Sequence, residues 1–184
     1  MKGSLATRED SVVVVIDLQP AFLEPIRGAE RIVQRAKFLV ECARILEVPV
    51  VATVQYASRM GKSHPDLVDL LGEPLDKMAF SCCGSEHFLS RLDTLGRSQA
   101  ILVGIETHIC VHQTTHQLLE SGMMVFLAED GIGARPEGAH DIGMKRMTLS
   151  GAIPTHSESV VYEWLRTAEH PKFRDILQIV KQYA

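Results

Sequence analysis

An uninterrupted run of apolar residues near the start of the chain constrains the fold more than any other feature. The run spans Val12–Ile16, is largely β-branched, shows no polar alternation, and is followed directly by Asp17. A strand with one face in water alternates apolar and polar residues, whereas a strand buried on both faces is apolar throughout. The run therefore predicts a strand of a parallel sheet that helices cover on both sides.

Strand-like and helix-like segments alternate along the rest of the chain, which is typical of a parallel α/β sheet. Residues 56–78 contain glycines and prolines and are predicted to form a long loop that carries Lys77, with a short strand near Ala79 and Phe80. The other predicted strands lie at 48–55, 100–103, 124–128 and just after Ala152. The predicted helices lie at 28–46, 84–95, 107–121, 136–150, 157–165 and 172–183.

Length and charge narrow the class of protein. The chain has 184 residues and a net charge of -4, and its hydrophobic content of 46% is ordinary for a globular protein. We expect one domain over residues 1–184, a cytoplasmic location, and no nucleic-acid partner, because nucleic-acid binding needs a basic patch. The apolar run at Val12–Ile16 is too short for a signal sequence or a membrane helix, so no membrane association is expected.

Two chemically useful residues follow predicted strands. Asp17 comes directly after the first strand, and Cys110 follows the strand that ends near Gly104. Ligands of open parallel sheets bind beyond the carboxyl ends of strands, so both side chains are candidates for a site. Asp17 is either a turn-forming residue or an acid–base group. Cys110 is either a buried structural thiol or a nucleophile, and a position near a helix start would lower its pKa.

Around these residues the sequence resembles the isochorismatase-like hydrolases. Residues 15–22 resemble the opening motif of that family, with Asp17, Gln19 and Phe22; residues 77–81 resemble its lysine segment; and residues 103–111 resemble the segment that carries the nucleophile. Phe88, Leu92, Thr114, Thr115, Gly122, Met147 and residues 129–131 and 151–155 match the remaining motifs. Residues 80–84 and 104–108 are most similar to the isochorismatase-domain-containing branch of the family, whose natural substrates are poorly defined.

The resemblance implies both a fold and a site. The fold would be a three-layer α/β/α sandwich with a six-stranded parallel sheet, of the isochorismatase-like, Rossmann-like type. The catalytic triad would be Asp17, Lys77 and Cys110, with a cis peptide bond between Ile105 and Glu106. Backbone N–H groups of Cys110 and of the cis segment would bind the substrate oxygen. The family also implies a homo-oligomer.

Two departures from relatives narrow the activity. Nicotinamidases in the superfamily bind a metal through an Asp-x-His pair after the second strand, but this chain has Gln55-Tyr-Ala-Ser58 there and only His64 nearby. We therefore expect no metal and no cofactor, although His108, His112 and His116 recur along one helical face at a spacing that can bind zinc. A cysteine at position 110 favours acyl transfer at a C–N bond over the vinyl-ether cleavage of true isochorismatases.

The sequence thus predicts a cysteine-dependent hydrolase of a small-molecule amide, imide or carbamoyl compound. In this hypothesis Lys77 and the helix start stabilise the Cys110 thiolate, while Phe22, Tyr56 and Gln19 contribute to the pocket together with residues 57–76 and 131–135. The alternative is a non-catalytic interaction module that retains the fold, because fold alone does not establish activity. A dinucleotide-binding oxidoreductase is disfavoured because no Gly-x-Gly-x-x-Gly motif follows the first strand.

Overall fold

A central parallel sheet organises the chain. The computed structural model describes residues 5–136 and 138–183, and within them six strands pair in the order β3-β2-β1-β4-β5-β6. All of these pairings are parallel. The strands are β1 (Ser11–Ile16), β2 (Val50–Gln55), β3 (Leu75–Lys77), β4 (Gln99–Ile105), β5 (Met124–Gly133) and β6 (Ile153–Thr155). The predicted six-stranded parallel sheet is confirmed.

Helices connect the strands and cover both faces of the sheet. They are α1 (Pro20–Leu23), α2 (Ala29–Ile45), α3 (Ala57–Met60), α4 (Pro65–Leu71), α5 (Glu86–Leu95), α6 (His112–Glu120), α7 (Ala139–Leu149), α8 (Ser157–Leu165) and α9 (Phe173–Gln182). A 3-10 turn spans Cys82–Gly84 and a π-helical turn spans Thr107–Val111. No helix within the described residues is both long and apolar enough to cross a membrane.

The apolar pattern of β1 explains the three layers. Val13 and Val15 point into a core that α2, α8 and α9 cover, and Val12 and Val14 point into a second core beneath α5, α6 and α7. All six residues of β1 are buried. Because side chains alternate between the two faces of a strand, a strand that is apolar throughout feeds both cores at once. The predicted three-layer sandwich is confirmed.

The segment between β2 and α5 differs from its prediction. Residues 56–78 are not one long loop, because they contain α3, α4 and β3. The strand predicted near Ala79 and Phe80 is wrong: the strand lies earlier and ends at Lys77, whose pairing partner is Gln55. β3 is an edge strand, so it is held by backbone hydrogen bonds to one neighbouring strand. Because it contains polar side chains, it lacks the apolar run that identifies a buried strand in the sequence.

Other boundaries differ by a few residues. β5 continues to Gly133 rather than ending near residue 128, and its last residues pair with the end of β4 after a register shift between Leu102 and Gly104. The predicted helix from residue 107 begins as a π-helical turn. α7 begins at Ala139, so Pro136 lies before the helix rather than in its first turn. The longer β5 extends the carboxyl edge of the sheet, where the candidate residues lie.

Gly104 allows β4 to approach the end of β1. Its φ is +128°, and a Cβ there would overlap the carbonyl oxygen and amide nitrogen of Ile16, directly before Asp17. We expect Gly104→Ala to lower the free energy of unfolding by about 3 kcal/mol, because an unfavourable φ adds to overpacking. Chemical denaturation measures this value.

Gly122→Ala is the matched control for that substitution. Gly122 also has a positive φ, +89°, but nothing lies within 4 Å of the position that a Cβ would occupy there. It should therefore show only the conformational cost, about 1 kcal/mol. Equal losses in the two variants would show that the close approach of β4 to β1 is not specified by Gly104.

Candidate active site

Asp17 lies directly beyond the carboxyl end of β1. Its φ is +52°, an uncommon conformation for a residue with a side chain. The backbone is held on both sides, since Asp17 N–H donates to the Thr53 carbonyl (3.2 Å) and Gln19 N–H donates to the Asp17 carbonyl (2.7 Å). The side chain is almost completely buried. Uncommon backbone conformations of this kind cluster at functional sites, where the surrounding structure maintains them.

Lys77 ends β3 and points back beneath Asp17. Its ammonium group donates to Asp17 Oδ2 (2.7 Å) and to Gln55 Oε1 (2.6 Å). It also donates to the carbonyls of Ala79 (3.2 Å) and Phe80 (3.0 Å), and its side chain is fully buried. An ammonium has three protons, so these four acceptors leave it no capacity for a ligand. Lys77 therefore acts on Asp17 and is itself shielded from the surface.

Thr53 and Gln55 complete the support of this ion pair, a role that no sequence motif predicted for either residue. Thr53 Oγ1 donates to Asp17 Oδ1 (2.8 Å), so each carboxylate oxygen of Asp17 has its own donor. Gln55 Nε2 donates to the Met78 carbonyl (2.8 Å) and thereby orients Gln55 Oε1 toward Lys77. Gln55 ends β2 as Asp17 follows β1, and this position at a strand end is the signal that could have revealed it.

Cys110 lies in the π-helical turn after β4. Val111 N–H reaches the carbonyl of Glu106, five residues back (3.3 Å), which widens the turn at Cys110. The Ile105–Glu106 peptide bond that leads into the turn is cis. Cys110 is 8% exposed and packs with the core between the sheet and α5, α6 and α7. The turn places its thiol at the same edge of the sheet as Asp17.

The electrostatic environment of Cys110 is opposite to the predicted one. Burial raises the pKa of the Cys110 thiol to about 12, and the negative charge of Asp17 raises it as well. Lys77 lowers that pKa, but burial and the charge of Asp17 outweigh its effect. The expectation that Lys77 and the helix start would stabilise a thiolate is therefore wrong for the resting protein. Cys110 rests as a neutral thiol beside a carboxylate.

A cavity of about 360 Å³ joins the two side chains. Asp17 and Cys110 both lie on its wall, whereas Lys77 lies behind it. The volume falls in the range of pockets for small organic ligands. The described residues that line it are Asp17, Ala21, Phe22, Pro25, Gln55, Phe80, Ile105, Glu106, Ile109, Cys110 and Arg135. The structure thus brings together Asp17, Lys77, Cys110 and the Ile105–Glu106 segment.

The predicted pocket residues divide into two groups. Phe22 lines the cavity, but Gln19 and Tyr56 are not among the described residues on its wall. Gln19 is fully buried. Its side-chain oxygen accepts from Gln55 N–H, and its side-chain nitrogen donates to the carbonyls of Gln55 and Gly61, so Gln19 stabilises the end of β2. Tyr56 is the N-cap residue that precedes α3, with a φ of +49°. The predicted contribution of residues 57–76 is wrong as well, because α3 and α4 carry them away from the cavity wall.

The histidine row on α6 and its preceding turn does not converge on a metal position. The rings of His112 and His116 stack with centroids 4.4 Å apart, and burial lowers the pKa of His112. Among residues 5–136 and 138–183, no group of three or more His, Cys, Asp or Glu side chains is placed to hold a metal ion. Cys82 and Cys83 are free thiols in the 3-10 turn, with Cys82 buried.

Comparisons with known proteins place the sequence in a family. Residues 11–159 match the model of the isochorismatase domain. The mouse isochorismatase domain-containing protein 2A is 34% identical over 177 residues, covering 95% of this chain and 84% of the mouse protein.

Solved structures agree with this match. The MAR1 ribonuclease of Caenorhabditis elegans superimposes with a TM-score of 0.91 at 32% identity, covering 97% of this chain and 93% of that one. The YcaC gene product of Escherichia coli, described as an octameric hydrolase of unknown specificity, gives a TM-score of 0.86 over 100% of both chains. Its identity of 19% shows the shared fold alone. The family-model match and the identity to the mouse protein over nearly the whole chain show that this protein belongs to the isochorismatase family.

Proposed function

We propose that the protein is a cysteine-dependent hydrolase that cleaves a C–N bond of a small amide, imide or carbamoyl compound through a thioacyl-enzyme at Cys110. The observation that carries the proposal is the shared cavity wall of Cys110 and Asp17, with Lys77 buried behind the carboxylate. A nucleophile beside a base that a third group orients is the arrangement common to covalent hydrolases.

The first half of the reaction transfers the acyl group to sulfur. Asp17 accepts the proton of the Cys110 thiol while the sulfur attacks the carbonyl carbon, which couples proton transfer to attack and needs no standing thiolate. Backbone N–H groups of Cys110 and of the Glu106 segment stabilise the negative oxygen, and one such donor is worth about 3–4 kcal/mol. Asp17 then returns the proton to the leaving nitrogen as the C–N bond breaks. The products of this half are a free amine or ammonia and an acylated Cys110.

The second half regenerates the enzyme. Asp17 accepts a proton from a water molecule, and the hydroxide adds to the thioester carbon. The C–S bond then breaks, and the proton on Asp17 passes to the Cys110 sulfur. Lys77 keeps Asp17 oriented throughout, because its ammonium group donates to Asp17 Oδ2.

Ammonia release from a panel of primary amides, cyclic imides and ureido compounds tests the proposal. We expect turnover by the parent, loss of at least about a thousandfold in Cys110→Ala, and near-parent rates in Cys83→Ala, which removes a thiol outside the cavity lining. Equal turnover in the parent and in Cys110→Ala would exclude a thioacyl mechanism.

RNA cleavage is a second candidate because the C. elegans relative is named a ribonuclease at 32% identity. Among the described residues on the cavity wall, Arg135 alone is cationic, and it is engaged with Glu106. Polyanionic RNA would need more cationic groups along its path. A labelled RNA assay decides between the two: cleavage that depends on Cys110, without amide turnover, would favour the ribonuclease, and turnover without Cys110-dependent cleavage would favour the amide hydrolase.

We also propose that the protein forms a homo-oligomer. The E. coli relative is described as octameric, and α7 of this chain presents Ile142 and Leu149 at 64% and 78% exposure. The two residues are seven positions apart and therefore lie on one face of α7, which is the face that we propose a second chain covers. Light scattering at several concentrations should give a mass above 20.4 kDa, and Ile142→Ser with Leu149→Ser should reduce it. A monomeric parent contradicts this proposal.

A further inference from the structure

Arg135 stands on the cavity wall in a fixed orientation. Its backbone N–H donates to Glu106 Oε2 (2.9 Å) and its Nε donates to Glu106 Oε1 (2.8 Å). Glu106 is nearly buried, whereas the Arg135 side chain is 49% exposed. The carboxylate of Glu106 therefore accepts from the backbone N–H and from Nε of Arg135. Neither contact uses the terminal nitrogens Nη1 and Nη2. Among the described residues, no side chain or carbonyl accepts from these two terminal nitrogens.

The other polar groups on the cavity wall are already engaged. Asp17 accepts from Thr53 and Lys77, and the side-chain amide of Gln55 accepts from Lys77 and donates to Met78. Cys110 and Asp17 serve the reacting bond in the proposed mechanism. The terminal nitrogens of Arg135 are thus the cationic donors that the described cavity wall offers to the rest of a ligand.

Much of the remaining wall of this cavity is apolar. Phe22, Pro25, Phe80 and Ile109 line the same cavity. A ligand that contacts both Cys110 and Arg135 therefore needs a reactive carbonyl, a hydrogen-bond acceptor and a short apolar part that packs against these walls. Because a guanidinium pairs most strongly with a planar anion through two parallel N–H bonds, a carboxylate is the acceptor that fits.

We propose that Arg135 is a specificity-determining residue that binds the carboxylate of the substrate, so that the substrate class is small amides or ureido compounds carrying an acidic group. That the bound molecule is a substrate rests on the proposed function, whereas the anion site itself is a property of the cavity. Glu106 offsets part of the guanidinium charge and the side chain is half exposed, so the preference for an anion is expected to be about five- to tenfold.

Two alkylating reagents that differ only in charge test this site without any knowledge of the substrate. Iodoacetate carries a carboxylate where iodoacetamide carries a neutral amide, and both react with Cys110 from the cavity. Rates at Cys110 are measured by peptide mass spectrometry at pH 9 and divided by the rates at Cys83, which is outside the lining. We expect the iodoacetate-to-iodoacetamide ratio at Cys110 to exceed that at Cys83, and to fall about fivefold or more in Arg135→Gln.

Arg91→Gln is the matched control, because Arg91 is an exposed residue of α5 and the substitution removes the same charge away from the cavity. It should leave the ratio at Cys110 unchanged. An unchanged ratio in Arg135→Gln, or an equal fall in both variants, overturns the proposal, because the anion preference would then be absent or would arise from overall charge.

Calorimetric binding of succinamate and succinamide to Cys110→Ala protein gives the second readout. These ligands share one primary amide and differ in a carboxylate against a carboxamide, and both fit the cavity of about 360 Å³. Tighter binding of succinamate that Arg135→Gln abolishes supports the site, and equal affinities overturn it. The anion preference can hold when no amide is hydrolysed, so failure of the proposed function and failure of this inference are distinguishable.

Discussion

Lys77→Met is expected to lower the free energy of unfolding by about 3–5 kcal/mol, because it leaves the buried carboxylate of Asp17 without its ion-pair partner. Methionine is close to lysine in shape, so packing is largely conserved and the loss is mainly electrostatic. The fully buried Lys77 side chain and its contact of 2.7 Å with Asp17 place this pair away from solvent screening. Urea denaturation followed by circular dichroism measures the change.

Two further variants separate the charge from the packing. Lys145→Met replaces an exposed lysine of α7 and should change the free energy of unfolding by less than about 0.5 kcal/mol. Asp17→Asn combined with Lys77→Met removes both charges and should recover most of the stability, because no unpaired buried charge remains. If the double variant is as unstable as Lys77→Met, the lysine stabilises the fold through packing and not through Asp17.

Asp17→Asn is expected to reduce amide turnover by about a hundredfold to ten-thousandfold and, in the same protein, to accelerate alkylation of Cys110 at pH 8. Turnover falls because an amide cannot accept the thiol proton, and a general base contributes a factor of that size. Alkylation accelerates because the Asp17 charge raises the pKa of Cys110, so its removal lowers that pKa and increases the thiolate fraction. We expect an increase of about threefold or more, since each pKa unit is tenfold in thiolate.

The pH dependence of Cys110 alkylation tests the direction of this pKa change independently. With a pKa of about 12, the parent's Cys110 should react faster with each step of pH up to 10, without a plateau. Asp17→Asn should shift that rise to lower pH, while Asp69→Asn, an exposed carboxylate on α4, should leave it in place. Turnover at the parent rate in Asp17→Asn would show that Asp17 is not the base, and slower alkylation of Cys110 would contradict the raised pKa that we attribute to its charge.

The centre of the fold could be predicted from the sequence because burial on both faces leaves a strong pattern. The apolar runs of β1 and β4 have no polar alternation, and the structure places both strands in the middle of the sheet. Asp17 and Cys110 could be placed at the carboxyl edge for the same reason, since Asp17 directly follows β1 and Cys110 lies in the turn after β4.

The edge strand β3 could not be predicted in this way. β3 has three residues, Leu-Asp-Lys, and it is a strand because Thr53–Gln55 pair with it, not because of its own composition. The burial of Lys77 depends on that pairing, so its position beneath Asp17 follows from tertiary structure alone. The resemblance to a known family identified Lys77, whereas a lone lysine between prolines and glycines indicates an exposed loop.

The chemistry of the thiol was the least predictable part of the site. A cysteine near a helix start and a lysine indicates a lowered pKa from the local sequence. In the structure the pKa of Cys110 is raised instead, because the thiol is buried and because the negative charge of Asp17 lies close to it. The supporting roles of Thr53 and Gln55 also required the geometry, since both are ordinary polar residues at the end of a strand.

Trapping the acylated enzyme tests the role of Cys110 most directly. The parent is mixed with an amide that it turns over, quenched in acid within the first turnovers, digested and analysed by peptide mass spectrometry. We expect an acyl adduct on the peptide that contains Cys110, with a hydroxylamine-sensitive bond as expected for a thioester, and no adduct in Cys110→Ala. An adduct on another residue, or sustained hydrolysis by Cys110→Ala, would contradict the role of Cys110 as the nucleophile.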